Sequence, residues 1–382
     1  VKNRRKKNRS LFRRIISATL KMFFFFFLFS LIISLSAQFI PPGYIIFPAF
    51  FGLAFPYLFI INVLIFAIAI FRKYKFVVIV FVPILFYSSF IFARYYQLGL
   101  SNKEQSAQIK PLKVMSFNVR VFNLYFWNEN KQMRDSIMSF IEAENPDILC
   151  LQEYYEDDTG SFETFSILTN RLGYKNHHRY FPIINNRKYR FGIATFSRFP
   201  IVDKKQIIFD GSTNMTLLSE IDVGERVISV FNCHLESIRL STEDINFISD
   251  ISISDRDETV SRTLGIFKRL RIAFRKRQTQ ADIINEYIRE LQTPVIICGD
   301  FNDTPASYSY RRIRGKLNDS FINSGRGSGS TYISRIPAFR IDYIFYSNDF
   351  KSHNTTIHKN ELSDHYSIST NLIFANNIYE KK

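Results

Sequence analysis

The stretch "PVIICGDFND", residues 294–303, sets an apolar run against an acidic, amide-bearing tip. Val295, Ile296, Ile297 and Cys298, bounded by Pro294 and Gly299, read as a strand buried on both faces. Asp300, Asn302 and Asp303 then fall at its carboxyl end, where open α/β sheets bind their ligands. An isolated Gly-Asp after a strand is more often a plain polar turn. The rest of the chain decides between the two.

Outward from that strand the same pattern recurs. "LKVMSFNV" (112–119), "DILCLQE" (147–153), "RFGIATFS" (190–197), "RVISVFNCHL" (226–235), "RIDYIFYS" (340–347) and "YSISTNLIF" (366–374) read as strands. "NKQMRDSIMSFIEAEN" (130–145) and "QTQADIINEYIREL" (278–291) have helical spacing and stop ahead of Pro146 and Pro294. Strands alternating with helices predict an α/β domain over residues 111–382, with helices covering sheet faces. "SGRGSGS" (324–330) reads as a flexible loop, and residues 237–277 as a long insertion between two strands. Cys150, Cys233 and Cys298 each lie in a core-strand run, which predicts three buried reduced thiols rather than a disulfide framework.

The amino-terminal quarter has another composition. Many of the 41 Phe of this 382-residue chain crowd into "KMFFFFFLFSLIISLSAQFI" (21–40), "YIIFPAFFGLAFPYLFIINVLIFAIAIF" (44–71) and "FVVIVFVPILFYSSFIFA" (76–93). Each run is near or above the length that crosses a bilayer, so three transmembrane helices are expected, at about 20–40, 45–71 and 76–93. The basic head and "SLSA" of the first run also fit a cleaved leader. Residues 1–96 are then a membrane region and the polar 97–110 a linker to the domain at 111–382.

Charge follows the same division. Residues 1–110 hold 15 Lys and Arg against Glu104 alone, so most of the net +16 lies there. "VKNRRKKNRSLFRR" and "RKYK" mark cytoplasmic ends of spans. Three spans with the amino terminus inside predict an integral protein of a plasma or inner membrane whose domain is extracytoplasmic. The remainder, with 35 basic and 33 acidic side chains, is near neutral and lacks the basic excess of strong duplex binders. "TLGIFKRLRIAFRKR" (263–277) gathers Ile266, Phe267, Leu270, Ala273 and Phe274 on one helical side, with Lys268, Arg269, Arg271, Arg275 and Lys276 mostly opposite. That pattern fits a helix lying on anionic lipid headgroups, or an ordinary packed helix with a solvated basic face.

Five strands end in residues suited to metal and phosphate chemistry: Asn118 in "SFNVR", Glu153 in "LQE", His234 in "NCHL", Asp300 with Asn302 in "GDFN", and Asp342 in "RIDYIF". "SDHY" adds Asp364 and His365 before the last strand. Singly, each has a plain structural explanation as a turn cap, a surface carboxylate or a satisfied core histidine. Together they do not, because clefted carboxylates are kept mainly when paired or metal-bound.

In this order the set resembles the endonuclease/exonuclease/phosphatase superfamily, which includes deoxyribonuclease I, abasic-site endonucleases, neutral sphingomyelinases and inositol polyphosphate 5-phosphatases. The resemblance spans residues 111–374 and excludes the amino-terminal helices. It implies a two-sheet α/β sandwich of the deoxyribonuclease I type, preceded here by three transmembrane helices, with the site in the cleft at the sheet ends. It implies that Glu153 and Asn118 bind Mg2+, with Mn2+ as the alternative, and that Asp364 places the metal or its waters. By the same resemblance Asp300 orients or deprotonates the attacking water and Asn302 donates to a phosphoryl oxygen. His365, oriented by Asp342, donates to the phosphate. His234 stands where deoxyribonuclease-like and sphingomyelinase-like members use histidine and abasic-site enzymes commonly use tyrosine.

The expectation is therefore a membrane-anchored, Mg2+-dependent phosphoesterase that cleaves phosphodiesters by in-line attack of water, on lipid headgroups by preference. An endonuclease or exonuclease on DNA or RNA is the alternative within the family. A non-catalytic membrane receptor or scaffold on the same fold is the alternative from another class; loss of Glu153, Asp300 or His365 would have favoured it.

Overall fold

The computed structural model describes residues 2–99, 110–124, 130–160, 162–186, 188–224, 226–238, 256–333 and 339–375. Most of the expected linker and the first part of the long insertion lie outside the described residues. The chain forms two compact units, one of Val1–Ala93 with Ala306–Tyr308 and the other of Arg94–Pro305 with Ser309–Lys382.

The first unit is helical: α1 (Lys2–Ser36), α2 (Phe47–Leu53), α3 (Phe55–Phe71) and α4 (Lys75–Phe92). The 23 residues Arg14–Ser36 and the 18 of α4 are long and apolar enough to cross a membrane. The expected single helix at 45–71 is broken instead. α2 and α3 meet at a 73° bend beside Ala54, with Pro56 in the first turn of α3, where its missing N–H costs nothing. By length and composition two helices could therefore cross a membrane, or three segments if the bent pair is one span. Phe24, Leu28, Ile65, Ala69, Val77 and Phe81 pack together from α1, α3 and α4. Asn62 is buried among them, and its Nδ2 donates to Phe27 O at 3.1 Å and Leu58 O at 2.8 Å.

The second unit runs β1 (Tyr96–Gln97), β2 (Leu112–Asn118), α5 (Asn130–Glu144), β3 (Ile148–Asp157), β4 (Asn176–Asn185), β5 (Tyr189–Ser197), β6 (Ile201–Ile208), β7 (Met215–Asp222) and β8 (Val227–His234). It continues through α6 (Arg256–Glu290), β9 (Val295–Asp300), α7 (Tyr308–Arg314), β10 (Asn318–Asp319), α8 (Ser320–Ser324), β11 (Gly327–Ser328), β12 (Asp342–Tyr346), β13 (Phe350–His358) and β14 (Ser367–Phe374). Two six-stranded sheets form, in the orders β13-β14-β2-β3-β5-β4 and β10-β12-β9-β8-β7-β6. β2 and β3 are parallel, as are β8 and β9, and the remaining pairs of both sheets are antiparallel. The carboxyl ends of those four central strands therefore open together.

Alternation along each strand builds the layers. Val114, Cys150, Val230, Ile296, Cys298 and Ile344 meet between the sheets. Met115, Phe117, Leu149 and Leu151 face the other way and pack on Ile137, Met138 and Ile141 of α5. Phe231, Val295, Ile297 and Phe345 are covered by Ala281 and Ile284 of α6 and by Tyr310 and Ile313 of α7. This is the expected two-sheet sandwich with helices outside. Burial on both faces is why the central strands read as unbroken apolar runs. All three cysteines are free and fully buried, and burial pushes the Cys233 thiol up to about 12.

Six elements depart from expectation. β4, β6, β7 and β13 carry too many polar residues to read as core strands; β6, "IVDKKQII", is an edge strand exposed along most of its length. "SGRGSGS" is not a free loop: Gly327–Ser328 pairs with Tyr96–Gln97, and Gly329 N–H donates to Tyr95 O at 2.8 Å. α6 is 35 residues long, far beyond its expected start at 278. Of the apolar side chains expected to face lipid, Ile266, Ala273 and Phe274 are buried within the unit, Leu270 is half-buried and Phe267 is half exposed.

Candidate active site

β9 delivers Asp300 at its last residue. Gly299 makes this placement possible: its φ is +140°, and a Cβ there would sit 1.9 Å from Cys233 O of β8. Two residues on, Asn302 is left-handed, with φ 52°. Its backbone N–H donates to Asp300 Oδ1 at 2.8 Å, and its Nδ2 donates to Asp300 Oδ2 at 3.1 Å and to Leu235 O at 3.1 Å. Both amide protons of Asn302 are thus engaged in holding Asp300 and the turn after β8.

Asn118 closes the network from the other sheet. Its Nδ2 donates to Asp300 Oδ2 at 3.0 Å and lies 3.4 Å from Glu153 Oε1, while its Oδ1 accepts from Arg120 N–H at 3.1 Å. Glu153 sits at φ 50°, where the register of β3 against β5 shifts between Leu151 and Tyr154; the bulge re-aims its side chain. His234 Nε2 stands 3.8 Å from Asp300 Oδ2 and 3.9 Å from Glu153 Oε1. His365 Nδ1 is 3.0 Å from Asp342 Oδ2, and its Nε2 is 3.8 Å from Asp300 Oδ2. Asp364 faces Arg120, with Oδ2 and Nε 3.4 Å apart. All eight residues expected from the sequence thus stand around one cleft.

Electrostatics separates their roles. Burial raises the Asp300 pKa to about 6, against the lowering effect of His365. Burial opposes charge on His365, but the carboxylates of Asp342, Asp300 and Asp364 outweigh it and raise its pKa to about 10. Imidazolium is therefore the form at neutral pH, and Nδ1 donates to Asp342. Glu153 is raised by burial and then by Asp364, with His365, Asn118 and Arg120 opposing.

Two groups could hold a cation. Ligand atoms of Asp300, Asp342 and His365 lie within 4.8 Å of one another. Without a cation the charged His365 imidazole has no lone pair to offer, and the trio is then set to hold and move a proton. The charge of Asp364 raises the Glu153 carboxyl, and Arg120, 3.4 Å from Asp364, partly offsets it; Glu153 and Asp364 are the second candidate pair. With Asn118 Oδ1 they are hard oxygen donors of the kind Mg2+ or Mn2+ takes.

Some site residues had no signal in the sequence. Arg120 lies two positions after Asn118, in the quoted "SFNVR", but nothing marked it as facing the cleft. The Tyr332 ring meets the His365 ring edge-on at 5.2 Å, and the two residues form an isolated β-bridge. Thr331 Oγ1 accepts from the N–H groups of Ile341 and Asp342, both at 3.0 Å, fixing the start of β12. On α6, buried Arg277 stands 3.8 Å from Asp303, and Gln280 Oε1 accepts from Glu236 N–H at 2.8 Å, so one helix braces the turns after β8 and β9.

The Endonuclease/Exonuclease/phosphatase family model matches residues 115–365, well over half of the chain. The chain belongs to that family. A domain of unknown function matches residues 15–95. No curated protein matches the chain. Among solved structures it is similar to the human Nocturnin catalytic domain with bound sulfate, at 22% identity and TM-score 0.48, covering 70% of this chain and 96% of that one. An endonuclease/exonuclease/phosphatase from Beutenbergia cavernae is similar at 17% identity and TM-score 0.48, covering 70% of this chain and 72% of that one. Sphingomyelinase C from Streptomyces griseocarneus is similar at 15% identity and TM-score 0.46, covering 69% and 99%. Likenesses at this level carry nothing about substrate.

Proposed function

We propose that the chain is a membrane-anchored, divalent-metal-dependent phosphoesterase that hydrolyses a phosphodiester by attack of water. The observation that carries this reading is the buried network in which Asn118 and Asn302 aim the Asp300 carboxylate between the imidazoles of His234 and His365. Glu153, Asp364 and Asn118 Oδ1 would hold Mg2+ or Mn2+, which when bound supplies positive charge to a phosphoryl oxygen.

Asp300 takes the proton of the attacking water; with a pKa of about 6 it is a stronger base than an exposed aspartate and is still ionised at neutral pH. His365 donates from Nε2 to the phosphate, held in register and charged by Asp342. His234 Nε2, like His365 Nε2, is 3.8 Å from Asp300 Oδ2 and would meet the same phosphate. Asn302 acts through Asp300 in this geometry, since donation to a phosphoryl oxygen would require release of one of its two bonds.

Lipid-headgroup phosphodiesters stand first among substrates because the chain carries its own apolar helices. The test assays the full chain in nanodiscs against phospholipids, sphingomyelin, DNA, RNA and sugar phosphates. Hydrolysis should vanish on chelation and return with Mg2+ or Mn2+, and Asp300→Asn should lower turnover at least about a hundredfold with the fold retained. Full activity after exhaustive chelation rules out the metal-dependent chemistry. Preference for polynucleotide over every lipid moves the reading to a nuclease, and inertness on all esters moves it to a receptor.

A further inference from the structure

The outer face of α6 carries a second pattern, set apart from the cleft. Between Val260 and Lys276 the helix has six basic residues, Arg262, Lys268, Arg269, Arg271, Arg275 and Lys276, and no acidic one. Arg262 and Arg269 are each engaged in an interaction, and Lys276 pairs with Glu236 at 3.1 Å. Lys268, Arg271 and Arg275 are exposed, and among the described residues none of them has an ion pair.

Large apolar side chains share that face: Val260 is 52% exposed, Leu264 63% and Ile272 47%. At about 100° per residue, Val260, Leu264, Arg271, Arg275 and Lys268 fall within roughly an 80° arc, and Ile272 lies about 40° beyond its edge. The arc is turned away from the face that buries Ile266, Ala273, Arg277, Ala281 and Ile284.

Uncompensated cations interleaved with exposed aliphatic tips select their partner. A nucleic-acid backbone would use the cations and leave Leu264 and Ile272 against phosphate. A second copy would set like charges against like. A bilayer surface with anionic lipids uses both, because long basic side chains reach the headgroups while aliphatic tips enter the acyl boundary. We propose that this face of α6, from Val260 to Arg275, lies on an anionic bilayer surface. The proposal goes beyond the hydrolytic reading and does not depend on it, since surface binding needs no catalysis.

The test uses the full chain in nanodiscs, with a nitroxide on Leu264→Cys; the native cysteines are fully buried. A second label on Lys204→Cys, at an exposed position of β6, serves as reference. In nanodiscs containing anionic lipid the label at 264 should be relaxed more by oxygen than by a water-soluble nickel chelate. The order should invert in purely zwitterionic nanodiscs, in high salt, and in the Lys268→Glu/Arg271→Glu/Arg275→Glu variant. The reference label should stay aqueous throughout, and hydrolysis of a small soluble ester by the variant should match the parent.

Three outcomes overturn the proposal. One is a label at 264 that stays aqueous on anionic nanodiscs. Another is protection that is equal in both lipids and indifferent to charge reversal, which marks a face covered by the chain itself. The third is protection conferred by an added oligonucleotide instead of lipid. Each leaves metal-dependent hydrolysis, measured on the same samples, as a separate result.

Discussion

At the scale of single residues, the Asp342–His365 pair and the Asp300 carboxylate turn geometry into a pH profile. Asp300 must be deprotonated to act as base, so the rate should rise with pH through an apparent value of about 6. His365 must be charged to donate, so the rate should fall as pH rises through about 10. Asp342 is the largest influence raising His365 and also raises Asp300, so Asp342→Asn should move the alkaline limb to lower pH and shift the acid limb downward as well. An alkaline limb that does not move would detach His365 from it. Because the two residues act on one step, His365→Ala combined with Asp342→Asn should cost little more than His365→Ala alone. Losses that multiply in kcat would show that Asp342 acts elsewhere.

At the scale of elements, β8 and β9 must approach closely enough for His234 and Asp300 to share a partner, and Gly299 is where that approach is tightest. Gly299→Ala places a methyl group on the Cys233 carbonyl, and the strands must separate. Chemical denaturation should show a loss of at least about 3 kcal/mol, or folded protein should fail to accumulate. An unchanged unfolding midpoint would mean that the strand pair has slack. Another constraint lies beneath the site: Arg340, fully buried, is bidentate to Asp319 at 2.8 and 2.5 Å and donates to Arg94 O at 3.0 Å. This ties the residue two positions before Asp342 to the start of the unit.

At the scale of the whole molecule, the bend beside Ala54 decides topology. A bent pair that crosses as one span gives three spans, which with a basic amino terminus inside puts the phosphoesterase unit on the extracytoplasmic side. A re-entrant pair gives two spans and the opposite side. The expected arrangement is three, so a reporter fused after Lys382 that works only outside the cytoplasm should be active. Activity confined to a cytoplasmic reporter would establish the two-span arrangement.

The sequence by itself determined the composition of both units, the central strands and the residues at their ends. Apolar period and turn chemistry are local, so Asp300 after "VIICG" and Glu153 after "DILCLQ" were legible where they stand. Edge strands such as β6 were not, because an exposed strand needs no apolar run. That Asn118 and Asp300, 182 residues apart, share a hydrogen bond was not written in either segment alone. The left-handed turns at Glu153 and Asn302, Arg120 and Tyr332 beside the cleft, and the choice of which side of α6 is buried were likewise decided by tertiary structure. A helix carries a usable apolar residue on several faces, and only the sheet it meets selects one. Here the fold buried Ile266, Ala273 and Phe274, packed Ala281 and Ile284 on the sheet, and left Val260, Leu264 and Ile272 outside.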